Sequence, residues 1–388
     1  MEVSKMKNPR LRLFYFSQSL AFTYFWLAIA IPYLMYRGLS PVQAFSLMSL
    51  YQLFGVILEY PTGVIGDRFG YRRVTYLANT LNLTSMLVMS LSGSYYLYLF
   101  ALFLLALGNG FSSGNDMGIL KTVSFNIKKD TANYNSLMDL VLFFGSIIGG
   151  LISKISYELA LIVSGICMFS ANIPLYFLKA TTPQIKNIQS VFSIAKDGFK
   201  SLRQPTLKQI FIIVALFGGF MFTLNSIIGS YVTLYQVNVA TVGLFVGLGG
   251  LARSIGGKLY AEIQKQNIAL LAILFSFSVI IIAVFPTYPV TAGLILFIQL
   301  LSGYIISKID GDIHDLASDH IRASLFSLKR VAMRIVASSY LMVNGIAIGV
   351  GKFSLLMYGT GLLLLIGVIL AWGYLTNKQI RNKQLASS

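Results

Sequence analysis

Three acidic and two basic side chains stand where charge is expensive. Glu59, Asp116 and Asp139 fall within long apolar stretches of the first half of the chain, and Arg253 and Arg334 within similar stretches of the second. Hydrocarbon does not solvate a charge, so each is a functional hypothesis by default. At a helical rise of about 1.5 Å per residue, each acid lies roughly 10 Å from the centre of its stretch, all toward the same side. Facing one cavity, they would repel one another and favour protonation of at least one, as a proton-carrying site requires. The alternative is a helix-end carboxylate reaching the inner interface or pairing with a loop cation. Arg253 and Arg334 lie near the centres of their stretches. They are candidates to hold an anionic or zwitterionic substrate group, to bridge to the acids, or to pair with backbone carbonyls. Gln18, Asn109, Asn225, Gln299 and Asn344 are neutral polar residues in mid-stretch, suited either to substrate or to hydrogen bonds between helices. Tyr24, in the aromatic run Phe22-Thr-Tyr-Phe25, is a candidate wall for an apolar or aromatic ligand.

The elements that must position these groups follow from composition. Of 388 residues, 56% are hydrophobic and 11% charged, against about a quarter charged in soluble domains; the mean hydropathy is +0.74. Runs such as 269–285 and 353–375 are continuous rather than alternating, which selects helices over a β-barrel. The expected spans are 12–36, 42–65, 74–93, 95–118, 134–155 and 157–178, then 207–232, 240–260, 267–286, 290–308, 324–348 and 353–376. The predicted fold is therefore an all-α membrane protein of about twelve transmembrane helices. A net charge of +17 suggests nucleic acid, but the placement of the charges argues otherwise. With a cytoplasmic N-terminus, only Arg37, Lys154 and Lys352 fall outside, and only Arg253 and Arg334 within spans; the remaining Lys and Arg are cytoplasmic. That asymmetry is the positive-inside pattern, so both termini are expected in the cytoplasm and no nucleic-acid partner is expected.

The chain divides into residues 1–180, a linker at 181–206 and residues 207–388. In the linker Ile188, Val191, Phe192, Ala195, Phe199 and Leu202 recur at helical spacing, the pattern of an amphipathic helix on the inner membrane surface. Tyr95, Tyr96 and Tyr98 read as interfacial belt residues. Cys167 is the one cysteine, which rules out an intrachain disulfide and a cysteine-based metal site. Asp310, Asp312, His314, Asp315 and Asp319 crowd the connection between spans ten and eleven. A solvated acidic loop pairing with Arg322, Lys329 and Arg330 is preferred there over a metal site, and no metal is expected. Without a Gly-rich loop ending in Lys-Ser/Thr, ATP is not the expected energy source. No nucleophile–base arrangement stands out, so an enzyme is not expected, nor a cofactor.

After the second span comes Glu59-Tyr-Pro-Thr-Gly63-Val-Ile-Gly66-Asp67-Arg68-Phe-Gly70-Tyr-Arg72-Arg73. Gly63, Asp67, Arg68, Gly70, Arg72 and Arg73 match the cytoplasmic loop signature of the major facilitator superfamily, which this chain resembles. The resemblance implies two six-helix bundles related by pseudo-two-fold symmetry, rocking about a midplane substrate site. It also implies a latch role for Asp67 against the start of helix eleven. The Glu-x-Pro-Thr-Gly run and Ile321-Arg-Ala-Ser-Leu-Phe-Ser327 resemble bacterial multidrug and metabolite exporters. Leu104 takes the place of an Arg often found before a Gly-x-Gly in helix four, here Gly108-Asn109-Gly110. In helix five Gly145, Gly149 and Gly150 stand, while the first Gly and the Pro of the antiporter signature are replaced by Val141 and Ser146. The implied activity is secondary transport of small amphipathic molecules across a bacterial inner membrane by a monomer in contact with membrane lipids. Proton-coupled export through Glu59, Asp116 or Asp139 is the first expectation. The alternatives are uptake, lipid or amphiphile flipping, or a non-transporting protein on the same scaffold.

Overall fold

The computed structural model describes residues 8–178, 203–263, 268–316 and 319–372, and among them only helices and their connections occur. The helices are α1 Pro9–Ala21, α2 Ala30–Tyr36, α3 Pro41–Phe69, α4 Tyr71–Leu91, α5 Tyr95–Ser112, α6 Asn115–Val123, α7 Ile127–Ser153, α8 Tyr157–Ser170 and α9 Asn172–Phe177. They continue as α10 Pro205–Ile213, a π-helical turn Val214–Gly218, α11 Gly219–Leu234, α12 Val239–Glu262, α13 Ile268–Val284, α14 Tyr288–Leu316, α15 Asp319–Gly349 and α16 Phe353–Leu370. The amphipathic helix expected in the linker lies outside the described residues.

Local chemistry starts many of these helices. Asn8, Ser94, Asn126 and Ser156 accept backbone N–H bonds at the starts of α1, α5, α7 and α8, and Ser40 with Gln43 forms a full capping box on α3. Proline stands in the first turn of α1, α3 and α10, where its missing N–H costs nothing.

Nine helical stretches among the described residues are long and apolar enough to span a bilayer, and Ile268–Val284 is a shorter apolar helix. The other two expected spans depart for separate reasons. Helix α4 carries Asn79 and Asn82 among its apolar residues. The first span, expected continuous over 12–36, is interrupted between α1 and α2. The fourth is interrupted too, at Ser113-Gly114, with Gly114 at φ +89°, before continuing as α6.

The described residues divide into two compact units, one drawn from Met1–Val191 with Asn225–Leu251, the other from Phe192–Leu224 with Ala252–Ser388. In the first, α4 packs on α5 and α8, and α3 on α5. A core of Phe14, Ile119, Leu120, Tyr134, Met138 and Leu175 joins α1, α6, α7 and α9. In the second, α13 packs on α16 and α14, and the π-helical turn on α15.

Two expectations about surfaces are corrected. Tyr98 is not an interfacial belt residue: it is fully buried, its ring meets Tyr33 edge-on at 6.1 Å and its hydroxyl donates to Ser92 O at 2.8 Å. The acidic cluster is not a loop, because α14 runs on to Leu316 and carries Asp310, Asp312, His314 and Asp315 on its last turns. Lys308 reaches Asp312 one turn along at 2.6 Å, where the Asp312 side chain is fully buried, and Lys329 pairs with Asp310 as expected. No group of three or more metal-ligating side chains forms among the described residues.

Candidate functional site

The break in the first span is where three of the candidate residues, Tyr24, Asn109 and Asp116, are linked. Between Phe22 and Ile29 the backbone leaves helical bonding: Tyr24 N–H donates to Phe22 O at 2.7 Å, Phe25 N–H to Thr23 O at 2.9 Å and Leu27 N–H to Tyr24 O at 3.1 Å. Irregular backbone at membrane depth survives only where protein covers it or where it lines a cavity. Here Phe25, Trp26, Ala28 and Ile29 are all buried. Ser164 of α8 donates to the same Thr23 carbonyl at 2.8 Å.

Glycine on α7 makes room for this segment. A methyl group on Gly149 would stand 2.8 Å from Phe25 Cα and 2.9 Å from its carbonyl carbon, inside any real contact distance. Gly150 packs as closely on its other side, with a methyl there 3.0 Å from Gly243 Cα in α12. The incomplete helix-five signature thus retains the two glycines that the packing requires.

Three aromatic residues and one amide meet around the break. Asn109 of α5 accepts from the Tyr24 hydroxyl at 3.3 Å and donates through Nδ2 to the Tyr51 hydroxyl of α3 at 2.9 Å. Trp26 stands edge-on to both rings, with centroids 6.3 Å from Tyr24 and 6.1 Å from Tyr51. Its indole Nε1 is buried and finds no hydrogen-bond partner among the described residues, an arrangement that costs about 1–3 kcal/mol unless an acceptor is supplied. Asn109 owes its position to its neighbours, since Gly108 lies against Ala78 and Asn82 of α4, and Gly110 against Thr62 of α3.

Asp116 is linked to the same cluster. The fourth span restarts at Asn115, and Asp116 in the first turn of α6 accepts from Gly114 N–H at 3.1 Å and from Met117 N–H at 2.7 Å. Its other oxygen accepts from the Tyr134 hydroxyl of α7 at 2.8 Å. The Tyr134 ring lies 6.4 Å from Phe22, edge-on, and Phe22 lies 5.3 Å from Tyr24. A carboxylate is acceptor-only, whereas its protonated form must donate from one oxygen. Protonating Asp116 turns one of its oxygens into a donor, and of these three partners only the Tyr134 hydroxyl can reverse its role and accept.

Sequence reasoning chose Tyr24, Asn109 and Asp116 and missed Tyr51, Trp26 and Tyr134. Trp26 carried a signal, as one of two tryptophans directly following the aromatic run. Tyr51 and Tyr134 carried none, since their roles depend on contacts with distant segments.

The remaining candidates are placed as follows. Glu59 and Asp139 are half-buried on α3 and α7. Gln18 is buried on α1 and accepts Phe22 N–H through its backbone carbonyl at 2.9 Å. Asn225 is half-buried in the first unit. In the second unit Arg253 and Arg334 are half-buried, and Gln299 and Asn344 are buried. Asn344 Nδ2 donates to Tyr340 O, one turn back on its own helix, at 2.6 Å.

A family profile described as Major Facilitator Superfamily matches residues 13–338. The chain belongs to that superfamily. Solved structures share the fold at low identity. The nucleoside transporter NupG aligns at TM-score 0.74 with 13% identity, over 95% of this chain and 98% of its own. A bacterial homologue of the human lysosomal transporter Spinster, in an inward-facing and unoccupied conformation, gives TM-score 0.74 and 13% identity over 97% and 98%. A POT family transporter in complex with 5-aminolevulinic acid gives 0.75 and 15% over 95% and 96%. A search of curated proteins returned no match. Membership makes this a multi-pass membrane protein of a transporter family.

The superfamily signature spans the end of one helix, a turn and the start of the next rather than an extended loop. Helix α3 continues through Gly63 and Asp67 to Phe69, and the turn is made at Gly70, whose φ of +92° suits glycine. Arg68 is exposed beside the Phe69 ring at 5.6 Å, and Arg73 is exposed. Arg72 Nη1 donates to Leu178 O at 3.0 Å, tying the start of α4 to the end of α9.

Proposed function

We propose that this chain is a proton-coupled secondary transporter that exports small amphipathic molecules across a bacterial inner membrane. The observation that carries the reading is the broken first span, which brings Tyr24, Trp26, Tyr51 and Asn109 together and links them through Phe22 and Tyr134 to Asp116. Discontinuous helices mark substrate sites in secondary transporters. Aromatic faces with one amide and one unbonded indole N–H suit a flat or amphipathic substrate bearing a hydrogen-bond acceptor. Asp116 is the proton carrier, Tyr134 the group whose hydroxyl reverses its hydrogen bond when Asp116 is protonated, and Asp67 the latch. Export is favoured by the likeness of the Glu59–Gly63 run to bacterial exporters. The protein works as a monomer with both termini cytoplasmic and with the proton gradient in place of a cofactor.

The test is a thermal-shift screen of purified protein against antibiotics, peptides, nucleosides, amino acids and lipids at two pH values. It is followed by transport of any hit in liposomes with and without a pH gradient. A hit whose binding depends on pH, with that dependence lost in Asp116→Asn, supports the reading. Unchanged pH dependence in Asp116→Asn removes the proton assignment, and accumulation of labelled substrate in cells assigns uptake instead of export.

A further inference from the structure

Outside this site, a groove of about 660 Å³ lies in the second unit between α15, α16 and the π-helical turn. Its walls are apolar: Leu216, Val336, Val343, Leu355 and Leu363 among them. Among the described lining residues Lys352 alone is charged. It stands at the start of α16, at one end of the groove, and forms no ion pair among the described residues. From Lys352 to Leu363 the helix rises about 16 Å, close to half of the ~30 Å hydrocarbon core. The groove is thus one leaflet long, with a cation at its headgroup end.

Lys352 is also one of three cations that break the charge asymmetry of the sequence. Arg37, another, is engaged by Glu158 at 3.1 Å and by Ser92 O at 2.6 Å. Lys352 has no such partner among the described residues. We propose that the groove is a binding site for one anionic phospholipid of the leaflet on the Lys352 side, with an acyl chain along α15 and α16 and the phosphate at Lys352. Charge complementarity selects an anionic headgroup over a zwitterionic one, and the length selects a lipid chain over a short soluble amphiphile.

Gly359 supplies a means of closing the site. It lines the groove, and a Cβ built there meets nothing within 4 Å, so Gly359→Leu fills the space without distorting the fold. Purified full-length protein in detergent would be titrated with phosphatidylglycerol and with phosphatidylcholine of the same chains. Melting would be followed, and retained lipid counted by native mass spectrometry. The expected result is tighter retention of phosphatidylglycerol, weakened about fivefold in Lys352→Gln. Both lipids are expected to be retained less by Gly359→Leu, whose lipid-free melting matches the parent. Lys154→Gln, which removes another of the three cations, should leave the preference intact. Equal retention of the two lipids by the parent protein overturns the proposal. So does a phosphatidylglycerol preference that survives Lys352→Gln, or one that Lys154→Gln erases equally.

Discussion

Two glycines four residues apart on α7 should respond oppositely to the same substitution. Alanine in place of glycine in a helix gains about 1 kcal/mol of intrinsic propensity. At Gly145 the new methyl meets Phe25 and the Tyr24 backbone at 3.8 Å, an ordinary contact, so Gly145→Ala should stabilise by about 0.5–1 kcal/mol. At Gly149 the methyl stands 2.8 Å from Phe25 Cα, well inside the 3.4–4 Å of ordinary contact. The obstacle is backbone and not a side-chain tip, so the overpacking cost of about 1–3 kcal/mol should fall toward its upper end. Gly149→Ala should then destabilise by about 1–2 kcal/mol net and shift the segment that carries Tyr24 and Trp26. The assay is thermal unfolding in detergent with Trp372→Phe as background, so that Trp26 is the only fluorophore among the two tryptophans of the sequence. Gly149→Ala should melt earlier, with a changed emission maximum before melting, while Gly145→Ala should melt at or above the parent. A Gly149→Ala protein that melts with the parent and keeps its emission would refute the claim that this glycine exists to admit the broken segment.

Further outcomes follow from other contacts. Lys308→Met leaves the fully buried Asp312 side chain without its lysine, and should cost about 3–5 kcal/mol, whereas a double replacement with Asp312→Leu should recover much of that loss on melting. The Arg37–Glu158 pair is about 30% exposed on each side chain, and a double-mutant cycle should return only about 0–1 kcal/mol of coupling. Tyr134→Phe removes one of three donors to Asp116. It should lower stability by about 1.5–3 kcal/mol and, under the proposed coupling, alter the pH dependence of substrate binding as Asp116→Asn does. Asn109→Ala deprives both Tyr24 and Tyr51 of their partner. It should weaken binding of any ligand found by the screen at least tenfold by titration, with little change in lipid retention.

The helices were legible wherever an apolar run was long and continuous. The expected 267–286 and the observed Ile268–Val284 nearly coincide, and both readings of the last span begin at Phe353. The interruption of the first span was not legible, because Phe22-Thr-Tyr-Phe-Trp26 contains neither proline nor glycine. What breaks the helix lies far off in sequence, in the room left by Gly149 and the hydroxyl of Ser164. The superfamily signature was legible as a motif but not as the end of a helix, since its glycines suggest a loop until Gly70 is seen to make the turn alone. The acidic run at 310–315 misled for a related reason. Density of charge suggests solvent, yet the spacing of Lys308 and Asp312 by one helical turn already allowed a buried pair on one face.

The departures from the exporter pattern bear on how coupling can work. The Arg expected in the fourth span is replaced by Leu104, so a carboxylate in this bundle has no cation at that position to hold it. Asp116 is held instead by two backbone N–H groups at the restart of the span and by one tyrosine hydroxyl. The backbone donors are fixed by the geometry of the break, and the tyrosine is the adjustable one. Its ring stands against Phe22, the first residue of the break in the other interrupted span, which leads within two residues to Tyr24. A change of charge at Asp116 therefore reaches the proposed substrate wall through one tyrosine hydroxyl and two ring contacts, without a relay of further carboxylates. If that path operates, replacing Phe22 by Ala should leave Asp116 and its three donors in place while uncoupling them from Tyr24. Substrate binding would then persist but lose its dependence on pH. Pairing unchanged pH dependence with Phe22→Ala would place the coupling elsewhere, and Glu59 and Asp139 would be the carboxylates to test next.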